Sequence, residues 1–256
     1  MIGAIAGDMI GAPYESRPVK NTAVPLTVAD FTDDTVLTVA VSNAILRGAG
    51  YGACIACLAR SFPNRPYGAS FWHWIWDPNS IPYYSFGNGS AMRVSPVGFA
   101  FESVKEVLLQ AKRSAEVSHN HPEGIKGAQA TAMAVFLARK GEDKATIRRQ
   151  IEARFGYRLD GSLEEIRPNY CFDVTCQGSV PESIIAFLDS CDYTTAVRNA
   201  ISLGGDADTM ACIAGGIAQA FYKKIPEDLV REVRKKLPDC LLAVVDQFNE
   251  TFDCAY

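Results

Sequence analysis

Apolar residues recur at the spacing of an α-helix along most of this chain, and no other feature limits the fold as strongly. In the segment from Val104 to Ala115 they fall at i, i+3, i+4, i+7 and i+11. The same period continues in Pro122–Arg139, Ile147–Phe155 and Leu229–Leu237. An apolar stripe of this period marks an amphipathic helix, whereas strand-like alternation is almost absent. We therefore predict an all-α fold.

The helical segments are expected to share one core. A chain of 256 residues with 48% hydrophobic residues can bury a large apolar interior. The least regular stretch, from Gly156 to Pro181, has no helical period, and a loop of this length inside a domain is often functional. Because apolar residues continue on both sides of it, we predict a single compact multi-helix domain over residues 1–256, with about ten or more helices.

Charge and cysteine content exclude several classes of protein. The 25 basic and 29 acidic residues give a net charge of -4, which does not favour nucleic acid as a partner. No apolar run suggests a membrane span, and the N-terminal segment carries Asp8 and Glu15 where a signal peptide is uncharged. We expect a cytoplasmic protein whose eight cysteines, including the pair Cys54 and Cys57, are reduced and bind no metal.

The first of two acidic clusters, Thr32-Asp33-Asp34, precedes the apolar helical run that begins at Val36. Helix capping explains it well, since Thr and Asp are favoured N-caps and first-turn acids complement the helix dipole by about 0.3 to 1 kcal/mol. Binding of a hard cation is the alternative, because Mg²⁺ and Mn²⁺ prefer carboxylate and hydroxyl oxygens. Taken alone, this cluster favours capping.

The second cluster, Asp206-Ala207-Asp208-Thr209, follows two glycines and also precedes an apolar helical run. Capping explains less here, since one acidic cap is enough and the glycines permit close approach of a ligand. The two clusters could converge on a pair of Mg²⁺, Mn²⁺ or Ca²⁺ ions. The lack of Cys or His beside them argues against zinc.

A third acidic element, Gly7-Asp8-x-x-Gly11-x-x-x-Glu15, lies near the N-terminus. Asp8 by itself is explained by capping or by burial with hydrogen bonds, and Glu15 by a solvated surface position. Each gains significance only together with other motifs.

Five motifs in a fixed order resemble those of the ADP-ribosylglycohydrolase family, which includes the dinitrogenase-reductase-activating glycohydrolases. They are GDMIGAPYE, FTDDT, FGNGSAMR, SHNHPEGIKGA and SLGGDADTMACIAGGIAQAFY. The resemblance covers residues 2 to about 222. It implies an all-α fold with a binuclear centre of two divalent cations, Mg²⁺ or Mn²⁺.

The resemblance also implies the residues of the metal centre. The family's metal ligands correspond to Thr32, Asp33, Asp34, Asp206, Asp208 and Thr209. Glu15 corresponds to the acidic residue beside the metals and the reacting ribose. We expect Glu15 and one ligand carboxylate, Asp33 or Asp208, to orient the sugar and water or to move a proton. The residues alone do not identify which carboxylate is the base.

A glycine-rich motif and a histidine are implied to bind the substrate. The motif resembles the family's loop under the diphosphate and ribose, and its implied contacts are Phe86, Gly87, Asn88, Gly89, Ser90 and Met92. Ser90 would open the following helix at its positive end; a glycine turn with Ser90 as N-cap is the alternative. A dinucleotide-binding motif is disfavoured because Met92 replaces the third glycine. His119 is implied to contact the diphosphate or a ribose, whereas His121 belongs to the start of a helix.

Two further features bear on packing rather than on substrate. Trp72, Trp74 and Trp76 alternate within one segment and are expected to form core or pocket wall. Lys223 stands after Tyr222, where the family often has a glycine that ends the helix.

The expected activity is metal-dependent hydrolysis at the anomeric carbon of ADP-ribose, releasing ADP-ribose from an arginine or serine side chain of a modified protein. Hydrolysis of small ADP-ribose conjugates is one alternative. A non-catalytic ADP-ribose-binding or structural protein on the same scaffold is the other, and retention of all six metal-ligand residue types argues against it.

Overall fold

The computed structural model describes residues 1–256 and contains fifteen helices and no β-strand, which confirms the all-α prediction. A single antiparallel β-bridge joins Gly87 and Thr175. The helices are α1 (Ile2–Glu15), α2 (Asp33–Arg47), α3 (Tyr51–Ser61), α4 (Ala69–Trp76), α5 (Gly89–Met92), α6 (Ser95–Ala100), α7 (Val104–Glu116), α8 (Pro122–Arg139), α9 (Lys144–Phe155), α10 (Leu163–Ile166), α11 (Cys176–Leu188), α12 (Tyr193–Ile201), α13 (Ala207–Tyr222), α14 (Glu227–Lys236) and α15 (Asp239–Thr251).

The predicted helical segments are present, and the predicted loop is shorter than expected. Helix α8 has the predicted bounds, while α7, α9 and α14 cover the other periodic segments. The stretch from Gly156 to Pro181 is interrupted by the short helix α10 and ends at Thr175. Thr175 caps α11 by accepting a hydrogen bond from the Gly178 N–H over 3.1 Å. Pro181 therefore lies inside α11, and its use as a loop boundary was wrong.

Helix α13 lies at the centre of the core, and α1 packs along it. Every residue of α13 from Ala207 to Ala220 is buried. The two helices run antiparallel, and Gly3, Gly7 and Gly11 of α1 face its backbone. A Cβ atom on Gly7 would lie 2.5 Å from the carbonyl carbon of Ala211. Backbone-to-backbone contact of this kind is possible only with glycine at these positions.

Hydrogen bonds fix the register of α1 on α13. The backbone N–H of Gly3 donates to Oε1 of Gln219 over 2.8 Å. The hydroxyl of Tyr193 in α12 donates to the carbonyl of Gly3 over 2.7 Å. All three groups are buried, so displacement of α1 along α13 would leave polar atoms unpaired at a cost of about 1 to 3 kcal/mol each.

The end of α13 shows how the chain replaces a terminal glycine. Lys223 adopts a φ of 53° in the left-handed region, and its N–H donates to the carbonyl of Gln219 over 2.9 Å. This is the geometry in which a glycine commonly ends a helix. The departure from the family pattern changes the residue but not the way in which the helix ends.

The remaining packing expectations are met except for one tryptophan. Trp74 is buried and Trp72 packs against the core, but Trp76 is 50% exposed, so its expected place in the core or a pocket wall was wrong. Trp76 lies at the end of α4, where the guanidinium of Arg60 covers its ring at 5.7 Å. All eight cysteines are free. None of the helices has the length and apolar character needed to cross a bilayer.

The contact between α1 and α13 predicts a large effect of the smallest possible substitution. Gly7→Ala should lower the free energy of unfolding by about 3 kcal/mol, because the added methyl group meets helix backbone that has no rotamer to change. In thermal unfolding this corresponds to a decrease in Tm of roughly 6 to 12 °C. Gly50→Ala is the matched control, since a Cβ there meets nothing within 4 Å. Equal Tm values for the two variants would contradict the packing argument.

Candidate active site

One cavity of about 610 Å³ gathers most of the residues that the sequence analysis selected. It opens where the end of α1, the start of α2, the start of α13 and the glycine-rich segment before α5 meet. The predicted residues that line it are Glu15, Asp33, Asp34, Phe86, Gly87, Asn88, Gly89, Met92, His119, Asp206, Asp208 and Thr209. Thr32 and Ser90 are the two predicted residues that do not line it.

Asp8 of α1 fixes the start of α2 through hydrogen bonds. Its carboxylate is fully buried and accepts hydrogen bonds from the N–H and the hydroxyl of Thr32, over 3.1 and 2.8 Å. It also accepts from the N–H of Thr35 over 3.2 Å and from the Thr35 hydroxyl. The residue is therefore buried and hydrogen-bonded, one of the two explanations considered from sequence. These bonds join α1 to the start of α2 on either side of Asp33 and Asp34.

The two acidic clusters meet at the N-termini of α2 and α13. The hydroxyl of Thr209 lies 3.4 Å from Oδ2 of Asp34, which links one cluster to the other. Carboxylate oxygens of Glu15, Asp206 and Asp208 lie within 4.8 Å of one another. Oxygens at this separation from two helix ends could hold a divalent cation.

Capping accounts for only one of the two clusters. Thr32 caps α2, since its hydroxyl oxygen accepts a hydrogen bond from the Asp34 N–H over 3.2 Å. Asp206 occupies the N-cap position of α13, but its side chain caps nothing. It instead accepts a hydrogen bond from Nδ2 of Asn88 over 2.8 Å. The second cluster is thus available for a ligand.

The electrostatics of the clusters fit bound cations. Burial is the first cause that raises the pKa of Asp33, Asp34 and Asp208, and neighbouring carboxylates are the second. Burial likewise raises the pKa of Glu15, with Asp208 as the next cause. None of these carboxylates forms a salt bridge. Oδ1 of Asp34 is buried with no hydrogen-bond partner, so the protein leaves this oxygen free for a ligand.

The glycine-rich segment is fixed to both clusters by its neighbours. Nδ2 of Asn88 also donates to the hydroxyl of Ser179, in addition to its bond with Asp206. The carbonyl of Met92 accepts from the thiol of Cys212 in α13 over 3.3 Å. It also lies 3.4 Å from the hydroxyl of Thr38 in α2. The segment therefore has a defined position relative to the carboxylates.

Ser90 lies behind the cavity wall rather than in it. Its side chain is fully buried and its hydroxyl donates to the carbonyl of Gly124 over 2.7 Å. Ser90 is the second residue of the four-residue helix α5, whose N-cap is Asn88, so Ser90 does not open the helix as expected. Its hydroxyl is oriented by α8, which sequence spacing could not reveal.

The two histidines separate as predicted. His119 is buried and lines the cavity, with its ring against Gly87 and Gly89. His121 is the N-cap of α8, and its Nδ1 accepts from the N–H of Glu123 over 3.0 Å. Only His119 can contact a ligand in the cavity.

Sequence reasoning missed a buried arginine in the cavity lining. Arg93, the last residue of the FGNGSAMR motif, lines the cavity and is fully buried without a carboxylate partner. Burial lowers its pKa to about 10. Its position at the end of a motif already selected was the available signal, but burial of a charge without a partner is a property of the folded chain only.

Comparison with known proteins agrees with this geometry. ADP-ribosylhydrolase ARH3 of Bos taurus is 27% identical, over 89% of this chain and 85% of its own length. ADP-ribosylarginine hydrolase Tri1 of Pseudomonas putida (strain GB-1) is 24% identical, over 91% of this chain and 72% of its own. A solved ADP-ribosylglycohydrolase-related protein complex has the same fold, with a TM-score of 0.72, 22% identity and coverage of 97% and 95%.

The family profile described as ADP-ribosylglycohydrolase matches residues 1–255, which is almost the whole chain. The helical fold, the paired acidic clusters and the glycine-rich segment occur together in that matched region. This chain therefore belongs to the ADP-ribosylglycohydrolase family and is a glycohydrolase.

Proposed function

We propose that this protein hydrolyses the bond at the anomeric carbon of ADP-ribose and releases ADP-ribose from an arginine or serine side chain of a modified protein. In this reaction the glycosidic bond breaks, water supplies the hydroxyl that the anomeric carbon gains, and the leaving group takes a proton. The observation that carries the proposal is that one cavity is lined by carboxylates, here called its acidic side, and also by the glycine-rich segment, His119 and Arg93. ADP-ribose has hydroxyl groups for the acidic side and a diphosphate for the rest of this lining.

The acidic side would hold two cations, Mg²⁺ or Mn²⁺. The proposed ligands are Thr32, Asp33, Asp34, Asp206, Asp208 and Thr209. Thr32 donates its hydroxyl proton to Asp8 and accepts from the Asp34 N–H, which leaves one oxygen lone pair for a ligand. When bound, a pair of cations can hold the ribose hydroxyls and increase the acidity of a water molecule.

The protein's own carboxylates would orient the sugar and the water. Glu15 lies at the end of α1, next to Asp208 at the start of α13. Hydrolysis at an anomeric carbon passes through an oxocarbenium-like state, in which nearby carboxylates are favourable. We assign proton transfer to Glu15 together with Asp33 or Asp208, all of which line the cavity.

The glycine-rich segment, His119 and Arg93 would hold the diphosphate. Gly89 has no side chain between its backbone and the cavity, so its N–H can approach a phosphate oxygen, whereas the N–H of Gly87 donates to the hydroxyl of Ser85 over 3.1 Å. The rim carries the aromatic side chain of Phe86, which is 45% exposed. Arg93 adds a buried positive charge to this lining. A negatively charged ligand would offset the cost of burying that charge.

The leaving group is best decided by direct assay. Tri1 is named as an ADP-ribosylarginine hydrolase, whereas ARH3 is named only as an ADP-ribosylhydrolase. A panel of arginine-linked, serine-linked and small-molecule ADP-ribose conjugates would separate the protein hydrolase from a hydrolase of small conjugates. Tight binding of ADP-ribose without release from any conjugate would instead support a non-catalytic protein.

Removal of divalent cations should abolish the release of ADP-ribose, and Mg²⁺ or Mn²⁺ should restore it. Cation binding to the folded state alone should also raise the stability by about 2.7 kcal/mol at a concentration 100 times the Kd. The corresponding increase in Tm is roughly 5 to 10 °C. Calorimetric binding, thermal unfolding and product release on one sample check all three. Full activity of chelator-treated protein would contradict the proposed cofactor.

Asp208→Asn tests whether Asp208 binds a cation or has only a structural role at the start of α13. Asn retains the size and hydrogen-bonding capacity of Asp but removes the charge that offsets a cation. We expect a folded protein whose cation affinity and turnover decrease at least about tenfold, or some 1.4 kcal/mol. The control is Asp143→Asn, since Asp143 is an exposed N-cap of α9 and Asn caps equally well. Unchanged cation affinity and turnover in Asp208→Asn would remove Asp208 from the centre.

Gly89→Leu should weaken ADP-ribose binding at least about tenfold, some 1.4 kcal/mol, because a Cβ at this position already lies 3.0 Å from Nε2 of His119 and the rest of the side chain would enter the cavity. Gly50→Leu is the control of equal size, at an exposed position with open space around it. Calorimetry with ADP-ribose measures the difference. Wild-type affinity in a folded Gly89→Leu variant would show that the diphosphate binds elsewhere.

A further inference from the structure

Arg93 makes hydrogen bonds with only one of its three nitrogens. Nη2 donates to the carbonyl of Ser114 over 2.8 Å and to the hydroxyl oxygen of Ser118 over 2.9 Å. Nε and Nη1 are buried with no partner. A guanidinium group has donors and no acceptor, so the direction of both bonds is fixed. Ser118 therefore accepts a hydrogen bond from Arg93.

The hydroxyl of Ser118 is thereby left to donate to His119. Its oxygen lies 2.8 Å from Nδ1 of His119, and Ser118 is fully buried. If Nδ1 carried the proton, the Ser118 oxygen would accept from both neighbours and its own proton would have no acceptor. An unsatisfied buried donor costs about 1 to 3 kcal/mol. The arrangement with the Nδ1 lone pair accepting from Ser118 is therefore favoured.

The ring of His119 is also held uncharged. Burial is the first cause that lowers the pKa of His119 well below its usual range, and the charge of Arg93 is the second. Neutral imidazole carries one proton, so a ring that accepts at Nδ1 has its proton on Nε2.

Nε2 of His119 points to the glycine-rich wall of the cavity. It lies 3.0 Å from where a Cβ of Gly89 would be, and 3.6 Å from that of Gly87. His119 lines the cavity, and no protein group forms a hydrogen bond with its Nε2. His119 is 4% exposed, and Nε2 is the part of this buried residue that remains free for a ligand.

We propose that Arg93 and Ser118 are positioning residues that hold His119 as the neutral tautomer with its proton on Nε2, which donates a hydrogen bond to the diphosphate. The tautomer of His119 is independent of the proposed function, whereas the contact with the diphosphate rests on the proposed function. Without the Ser118 hydroxyl, the proton can occupy either ring nitrogen. A lone pair on Nε2 would then repel phosphate oxygens.

Nitrogen-15 NMR of the ring nitrogens tests the tautomer directly. The chain contains three histidines, so protein labelled only in histidine gives a spectrum that His73→Gln and His121→Gln assign. In ligand-free wild type at neutral pH we expect Nε2 of His119 to carry the proton and Nδ1 to be unprotonated. A proton on Nδ1, or a charged ring, would overturn the proposal whatever the variants do.

Ser118→Ala tests the role of the serine. We expect signals of mixed tautomers for His119 and an affinity for ADP-ribose and for ADP that is about tenfold weaker, some 1.4 kcal/mol. Ser114→Ala is the matched control, because the Ser114 hydroxyl bonds only to the carbonyl of Ala111 and the backbone contact with Arg93 is retained. The control should keep the wild-type tautomer and affinity.

The outcomes separate this proposal from the proposed function. Unchanged tautomer or unchanged affinity in Ser118→Ala would refute the positioning role, and a loss for ADP-ribose but not for ADP would refute the diphosphate as acceptor. If the wild type bound neither ligand, the proposed function and the diphosphate contact would fail together. The NMR result would still decide whether Arg93 and Ser118 set the tautomer.

Discussion

The contact between the backbones of α1 and α13 is the constraint on which the site depends. Three glycines one helical turn apart allow α1 to lie directly on α13, with Gly11 next to Ala207 and Asp208. This closeness brings Glu15, at the end of α1, to the carboxylates at the start of α13. A side chain at any of the three glycines would separate the helices and move one half of the acidic side from the other.

Helix packing holds the carboxylates of the acidic side close together although their charges repel one another. Buried carboxylates on three helices repel one another, and burial itself disfavours their charged forms. The positive ends of α2 and α13 offset a part of this cost. The hydrogen bonds that Asp8 accepts hold the start of α2 in place despite the repulsion. Cations are the natural means of stabilising such a cluster, which links the stability of the fold to the proposed chemistry.

The cavity lining contains both negatively charged groups and a positively charged group. Carboxylates form one part of the lining, while Arg93, His119 and the glycine-rich segment form another. Asn88 connects the two, since it belongs to the segment and donates to Asp206. A ligand with an anionic group at one end and hydroxyl groups at the other is complementary to such a cavity. The fixed geometry between the two parts would place the bond to be broken next to the carboxylates.

The sequence by itself determined the helical class and the main helices, because helical periodicity is a local property, and its family motifs indicated half of the cavity lining. It also identified Glu15, Asp206 and Asp208 as residues of one site. Only the tertiary structure decided that Ser90 turns away from the cavity towards Gly124 and that Trp76 is exposed. It also revealed that Arg93 is a buried cation. These properties depend on contacts between residues distant in sequence, and neither periodicity nor spacing contains information on which side chains the fold brings together.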